Sequence, residues 1–331
     1  MKRPAHETKV LVAREIPDLG INMLKEAGFQ VTVWPGKVPM TQPELIEKAN
    51  QMHAILTLSA DKLNAHFFQE CNHLDIVSQF AAGYDNIDIP AATKAGIPVG
   101  NTPGAMSDAT ADIAFGLMLA VSRKFFHMHK TIGRGEWGAF QPKANLGLEQ
   151  KGKTLGIFGL GAIGMEMAKR CHGAYDMEII YCNRSHNEEA EKRFGAKKVS
   201  FDELLEKSDV ISVHSVLSDE TRGIFNKAAF SKMKPTAIFI NTSRGGTHNE
   251  TDLIEALQSG TIWGAGLDVT NPEPMKSDNP LLEMENVAVL PHIGSASVNA
   301  RNEMSRMAAV NIIEFYKTGK VPYIINPEVL S

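Results

Sequence analysis

The sequence predicts an α/β protein made of two parallel-sheet domains, each covered by helices on both faces. Three observations carry that prediction. Short apolar runs alternate with helical patterns along most of the chain, and a glycine-rich turn sits between a strand and a helix near its middle. At 331 residues the chain is also long enough for two separate cores.

Strands are expected at Val10–Ala13, Val31–Trp34, Ala54–Thr57, Ile76–Ser78 and Val99, where apolar and β-branched residues cluster. Helices are expected near Asp18–Ala27, Gln42–Gln51, Asn64–Glu70 and Ile89–Ala95, and Gly28 and Gly96 follow two of them as C′ caps. Asn101-Thr-Pro-Gly104 breaks the pattern ahead of a long apolar helix, Ser107 to about Arg123, so a domain boundary falls there. Leu155, Ile157 and Phe158 form a strand that empties into Gly159-Leu160-Gly161-Ala162-Ile163-Gly164, then a helix, then a strand at Met177–Tyr181. Later strands are expected at Val210–Val213, Ala237–Asn241, Trp263–Asp268 and Val287–Leu290. The last element, Val298 to about Lys317, is an amphipathic helix expected to pack back on the first unit. The expected division is residues 1–104 with 297–331 as a discontinuous, substrate-binding domain and 105–296 as a nucleotide-binding domain. Both are expected to be doubly wound, Rossmann-like or flavodoxin-like, with an active-site cleft between them.

A net charge of -4 with 43% hydrophobic and 22% charged residues gives no sign of nucleic-acid binding. There is no 18-residue apolar run, and the N-terminal MKRPAHETK lacks the apolar core of an export signal. Cys71, Cys171 and Cys182 form no C-x-x-C and read as thiols of a reducing compartment, so a cytoplasmic protein without a metal set is expected.

The strand, glycine turn, helix, strand order points to a dinucleotide site. Gly159 permits the tight turn, Gly161 lets the backbone approach a pyrophosphate, and Gly164 lets the helix pack close, so that Ala162 and Ile163 open a helix aimed at the anion. An acid at the end of the next strand would bind the ribose hydroxyls of NAD. Asn183, Arg184 and Ser185 stand there instead, and Glu188 and Glu189 come too late. Arg184 offers a planar cation to a 2′-phosphate, so NADP is the expected preference, with NAD possible; the alternative is a solvated loop arginine.

Three later strands end in chemistry. Arg244 follows Ala237–Ile240, Asp268 ends the next strand with Glu273 shortly after in Asn271-Pro-Glu-Pro274, and His292 follows Pro291 behind the last strand. An arginine, a carboxylate and a histidine make an anion clamp and a proton donor. Their ordinary alternatives are a structural ion pair, a solvated loop carboxylate and a structural histidine; His127, His129, His172 and His214 take that last reading.

With AAGYDNID at Ala81–Asp88, GLGAIG, NTSRGG, GLDV followed by NPEP, and PHIGS, nearly the whole chain resembles the D-isomer-specific 2-hydroxyacid dehydrogenases. Among them it is most similar to the glyoxylate and hydroxypyruvate reductases. The spacings of 29 residues from Arg244 to Glu273 and 19 from Glu273 to His292 match that family's pattern. The resemblance implies reduction of a short 2-oxo acid, glyoxylate to glycolate or hydroxypyruvate to D-glycerate. It implies His292 as proton donor, Glu273 as the group that keeps it charged, and Arg244 on the substrate carboxylate. Substrate contacts at the backbone N–H groups of Ala82 and Gly83 and at Ser295 follow from it, and Ala82 leaves room for a compact substrate. So do cofactor contacts at Thr110, Ser215, Thr221, Thr242, His292 and Asp268, the last on the nicotinamide carboxamide. It also implies a homodimer, with the helix from Ser107 and the loop holding Trp137 at the contact. The chain departs from the family's common residues at Val216, at Asp112, and at Asn183, where NAD-dependent members have an acid nearby. Two alternatives stay open: an NAD-dependent relative acting on D-lactate, D-glycerate or a larger hydroxy acid, and a nucleotide-sensing corepressor. No long disordered tail or basic extension supports the latter.

Overall fold

A computed structural model describes residues 3–330, so the start of the N-terminal stretch read above for an export signal lies outside the described residues. The chain divides into two compact units, residues 1–106 with 296–331, and residues 107–295.

The first unit runs β1 (Lys9–Val12), α1 (Asp18–Glu26), β2 (Gln30–Val33), α2 (Gln42–Ala49), β3 (Ala54–Thr57), α3 (Ala65–Glu70), β4 (Ile76–Gln79), α4 (Ile89–Lys94) and β5 (Val99–Gly100). Its strands are all parallel, in the order β2-β1-β3-β4-β5, which is the flavodoxin-like order. Alternation along β1 explains the two-sided core: Val10 and Val12 pack with Ile21 and Leu24 of α1, while Leu11 turns to Phe67 and Phe68 of α3. A strand buried on both faces reads as a continuous apolar run, which makes β1 and β3 legible, whereas the edge strand β2 alternates between exposed and half-buried residues. Gly28 and Gly96 end α1 and α4 at φ 93° and 71°.

The second unit holds α5 (Ser107–Ser122), α6 (Phe125–Gly133), β6 (Thr154–Phe158), α7 (Ala162–Tyr175), β7 (Glu178–Cys182), α8 (Glu188–Phe194) and β8 (Lys197–Lys198). It continues with α9 (Phe201–Lys207), β9 (Val210–Val213), α10 (Lys227–Lys232), β10 (Ile238–Asn241), α11 (Glu250–Gln258), β11 (Gly264–Leu267) and β12 (Val287–Val289). The parallel order is β12-β11-β10-β9-β6-β7-β8, so the strand order reverses between β6 and β9. This is the Rossmann arrangement with one strand added, and the crevice beyond the carboxyl ends of β6 and β9 is where such sheets bind ligands. Leu117, Met118 and Val121 of α5 cover one face with Met167 and Cys171 of α7; Leu204, Phe230, Leu253 and Leu257 cover the other.

The chain then returns to the first unit as α12 (Val298–Thr318), whose Ala308, Ile312 and Phe315 join the β1 side of that core. Ser305 docks it on α1, accepting from the Gly20 N–H (3.0 Å) and donating to the Pro17 carbonyl (2.6 Å).

The structure adds α6, α8, α9, α10, α11 and β8 to the elements expected. Lys124 adopts a left-handed φ of 56° and ends α5, so the apolar Phe125, Phe126 and Ile132 belong to a separate helix that exposes them. Asp112, one of the family departures, pairs with Arg170 of α7 (2.7 Å), which also holds Asp108 and Glu166.

Candidate active site

The carboxyl ends of the second sheet carry the charged side chains singled out above. β10 ends at Asn241, whose amide nitrogen donates to the Arg244 carbonyl (3.1 Å) and to Thr247 Oγ1 (3.0 Å) while its oxygen accepts from the Ser243 N–H (3.0 Å). One side chain thus shapes the turn that carries Arg244. Gly245 lets the turn close, because a Cβ there would strike the Thr270 carbonyl. Arg244 is half-buried, and its Nη1 donates to the Ser243 carbonyl (2.9 Å).

β11 runs into Asp268, which is 1% exposed. Its Oδ1 accepts from the Ile293 N–H (2.8 Å), its Oδ2 from the Gly294 N–H (2.7 Å), and its carbonyl from the His292 N–H (2.9 Å). Three bonds from one residue therefore hold the loop after β12. His292 sits in that loop at φ 51°, a left-handed conformation that costs a histidine roughly 1–3 kcal/mol and persists only where its surroundings impose it. Burial pushes the Asp268 carboxyl upward, against the two amide bonds that favour its charged form.

His292 Nδ1 lies 2.5 Å from Glu273 Oε1, with each side chain 42% exposed. An ionised carboxylate only accepts, so Nδ1 carries the shared proton and Nε2 is the atom left to give one up. The Glu273 hydrogen bond raises the His292 pKa, burial opposes it, and the nearby Arg244 charge also works downward. Burial pulls Glu273 upward, but its bond to His292, the imidazolium charge and Arg244 together hold it below the ordinary carboxylate value. Arg244, Asp268, Glu273 and His292 thus form one electrostatically coupled group.

At the strand reversal, Gly159 turns the chain at φ 94°, and a Cβ there would lie 2.6 Å from the Ser215 nitrogen, beyond β9. Gly161 caps α7, with no atom within 4 Å of where its Cβ would stand. The first N–H of α7 to find an intrahelical acceptor is that of Met165, on Gly161 (2.9 Å), so the amides of Ala162, Ile163 and Gly164 precede the helix ladder. The buried Ser215 hydroxyl has no partner among the described residues. An anion-binding helix end, open room above its glycine and an unpaired hydroxyl fit a dinucleotide pyrophosphate and ribose.

Thr110 Oγ1 donates to the Gly294 carbonyl (3.2 Å) and so braces the His292 loop from α5. Thr242 Oγ1 lies 3.3 Å from His214 Nδ1, and His214 Nε2 lies 2.8 Å from Ser212 Oγ. Burial pushes His214 down to about 3, so this ring is neutral. Thr221 spends its hydroxyl within its own turn, on the Val216 carbonyl (2.7 Å) and the Ser218 N–H (2.8 Å). Asn183 turns inward: its oxygen accepts from the Leu160 N–H (2.7 Å) and its nitrogen donates to the Leu160 carbonyl (3.2 Å). Asn187, which the sequence reading passed over, donates to the same carbonyl (3.0 Å) and caps α8 on Ala190. An asparagine opening a helix pattern was the available signal for it. Arg184 and Ser185 are exposed, and Lys198 Nζ donates to the Arg184 carbonyl (3.1 Å). Ser295 is half-buried just past Gly294; Ala82 and Gly83, also half-buried, lie in the loop after β4 of the first unit.

Among the described residues no cluster of three or more His, Cys, Asp or Glu is placed to hold a metal ion, and no helix is long and apolar enough to cross a membrane.

Residues 115–294 match the family described as D-isomer specific 2-hydroxyacid dehydrogenase, NAD binding domain. The chain is 44% identical over 329 residues to a glyoxylate reductase of Thermococcus litoralis, covering 98% of each. It superposes on the crystal structure of a glyoxylate reductase from Paecilomyes thermophila with a TM-score of 0.87 and 32% identity, covering 97% of this chain and 99% of that one. An NADPH-dependent glyoxylate/hydroxypyruvate reductase from Sinorhizobium meliloti, crystallised with NADP and malonate, matches with a TM-score of 0.84 and 31% identity over 96% of both chains.

Proposed function

This chain belongs to the D-isomer specific 2-hydroxyacid dehydrogenase family, and on that premise we propose that it is an NADPH-preferring reductase of glyoxylate and hydroxypyruvate. It is an NAD(P)-dependent oxidoreductase of the glyoxylate reductase type, acting on a CH–OH group. The observation that carries the mechanism is the His292–Glu273 pair, at 2.5 Å, within the field of Arg244.

When bound, a nicotinamide dinucleotide would supply the hydride; the glycine turn, Ser215, Arg184 and Ser185 would hold it, with Asn183 bracing the turn at Leu160. The chain's own residues do the rest. Arg244 binds the substrate carboxylate as a planar fork and polarises the carbonyl beside it. His292, kept protonated by Glu273, gives the Nε2 proton to the carbonyl oxygen as negative charge develops there. Asp268 and Thr110 keep the His292 loop in place, and Asp268 has lone pairs left for a carboxamide. Ala82 and Gly83 are proposed to offer N–H groups to the carboxylate, and Ser295 a further substrate contact. Thr242 and Thr221 are proposed to line the cofactor groove.

The NADPH preference is supported by Arg184 and Ser185 standing exposed where NAD-binding members place an acid. A homodimer is supported by an arm that exposes Phe125, Ile132, Trp137 (79%), Phe140 (91%) and Leu146. A cytoplasmic location is part of the same proposal.

The test is oxidation of NADPH and of NADH, followed optically, with glyoxylate, hydroxypyruvate, pyruvate and bulkier 2-oxo acids. Highest kcat/KM with the two short substrates and NADPH is expected. A wild type that prefers NADH or a bulky 2-oxo acid overturns the reading.

A further inference from the structure

We infer that Asn101 and Gln79 are positioning residues for the substrate carboxylate, holding the loop after β4 so that three successive amides are presented to the anion. The inference rests on the reading above that Ala82 and Gly83 meet the carboxylate, and it adds the N–H of Tyr84 as a third donor.

Each carbonyl of the loop is taken from the interior of the first unit. The Ala81 carbonyl accepts from the Thr102 N–H (3.0 Å), the Ala82 carbonyl from Asn101 Nδ2 (2.8 Å) and the Gly83 carbonyl from Gln79 Nε2 (3.3 Å). In a planar trans peptide the C=O of one residue and the N–H of the next point in opposite directions. Holding these three carbonyls therefore turns the N–H groups of Ala82, Gly83 and Tyr84 away from Thr102, Asn101 and Gln79. None of the three N–H groups reaches an acceptor among the described residues. Ala82 and Gly83 are half-buried and Tyr84 is 42% exposed, so these amides stand open to a partner, and an anion is one they favour.

The backbone of Asn101 and the side chain of Gln79 are themselves held. Asn101 is 9% exposed, donates its N–H to the Tyr323 carbonyl (3.0 Å) and accepts at its carbonyl from Asn311 Nδ2 (3.0 Å). Gln79 is fully buried, and its Nε2 also donates to Asn86 Oδ1 (2.8 Å). Asn86 in turn donates to the carbonyls of Leu58 (3.2 Å) and Asp61 (2.7 Å). Strand ends β3, β4 and β5 thus brace one short loop, so its amides are oriented before substrate arrives, and ordering is not charged against binding.

The test uses the full-length enzyme with NADPH bound and oxalate as probe, a planar carboxylate with no reducible carbonyl. Calorimetry is expected to show Asn101→Ala weakening oxalate about three- to tenfold, the effect of losing one neutral hydrogen bond, with the KM for glyoxylate rising in parallel. The kcat should stay within about twofold and the NADPH Kd should not change, a split that a merely structural role would not produce. Gln79→Met keeps length and apolar fit but donates no bond, and it carries the same prediction should Asn101→Ala not fold. Unchanged oxalate affinity in both variants overturns the inference, as does equal loss of oxalate and NADPH binding. A wild type that neither binds oxalate nor reduces glyoxylate overturns the substrate reading itself and the inference with it.

Discussion

Replacing Asp268 with asparagine tests whether His292, the proposed proton donor, is held by this buried carboxylate. The side chain receives two N–H bonds, from Ile293 at 2.8 Å and Gly294 at 2.7 Å. Hydrogen bonds to a charged group contribute roughly 1.5–3 kcal/mol each, and an amide can keep only one of them, as a neutral bond of about 1 kcal/mol. Its NH2 then faces the other N–H, donor against donor. The net loss is about 2–5 kcal/mol, set against a His292 conformation that already costs roughly 1–3 kcal/mol to maintain. Asp268→Asn should therefore lower kcat/KM for glyoxylate by about thirtyfold or more, and amide hydrogen exchange at Ile293 and Gly294 should speed up. The fold should survive, because the core beneath the loop is untouched. Activity within threefold of wild type, with exchange at those two amides unchanged, would refute the clamp.

Three further outcomes follow from the same geometry. Glu273→Gln removes the charge that raises His292, so the high-pH limb of the reductive reaction should move down toward the unperturbed histidine value of about 6.5; a pH–kcat/KM profile that does not move contradicts the pairing. Arg184→Ala should cut NADPH efficiency about ten- to a hundredfold while leaving NADH within a few-fold, because only NADPH loses a charge-assisted contact; equal loss of both cofactors would rule out a 2′-phosphate partner. Burial holds His214 down to about 3 and His248 to about 4, so the unfolded chain, titrating near 6.5, binds more protons as pH falls below that value. Stability should be full above pH 6.5 and decline below it, by about 2 kcal/mol for each ring at pH 5, and denaturant midpoints that do not differ between pH 7 and pH 5 would contradict this.

The parts of the chain that were legible in sequence are those where one physical demand dominates. β3 and β9 are apolar throughout because both sheet faces are covered, and they lie where periodicity put them, at Ala54–Thr57 and Val210–Val213. The glycine turn was legible because a strand, a tight turn and a helix must follow one another in few residues. The second-unit helices were harder, although α9 carries a readable signal in the Ser200–Glu203 capping box. α6 was missed for a different reason: its apolar residues face outward, so the pattern reported no core. Within the site, Arg244, Glu273 and His292 announced themselves by residue type at strand ends. The clamp by Asp268, the turn built by Asn241 and the inward orientation of Asn183 did not. Each depends on which backbone groups lie opposite a short polar side chain, and residue type and spacing are silent on that.

If His292 gives the proton, its removal slows the chemistry and leaves cofactor binding intact. The direct measurement is kcat/KM for glyoxylate together with the NADPH Kd in His292→Ala. Turnover should fall by roughly two to four orders of magnitude, the usual effect of removing a positioned acid, with the Kd for NADPH within about twofold of wild type. Near-wild-type turnover in that variant, or a loss of NADPH binding large enough to explain the fall, would contradict that role.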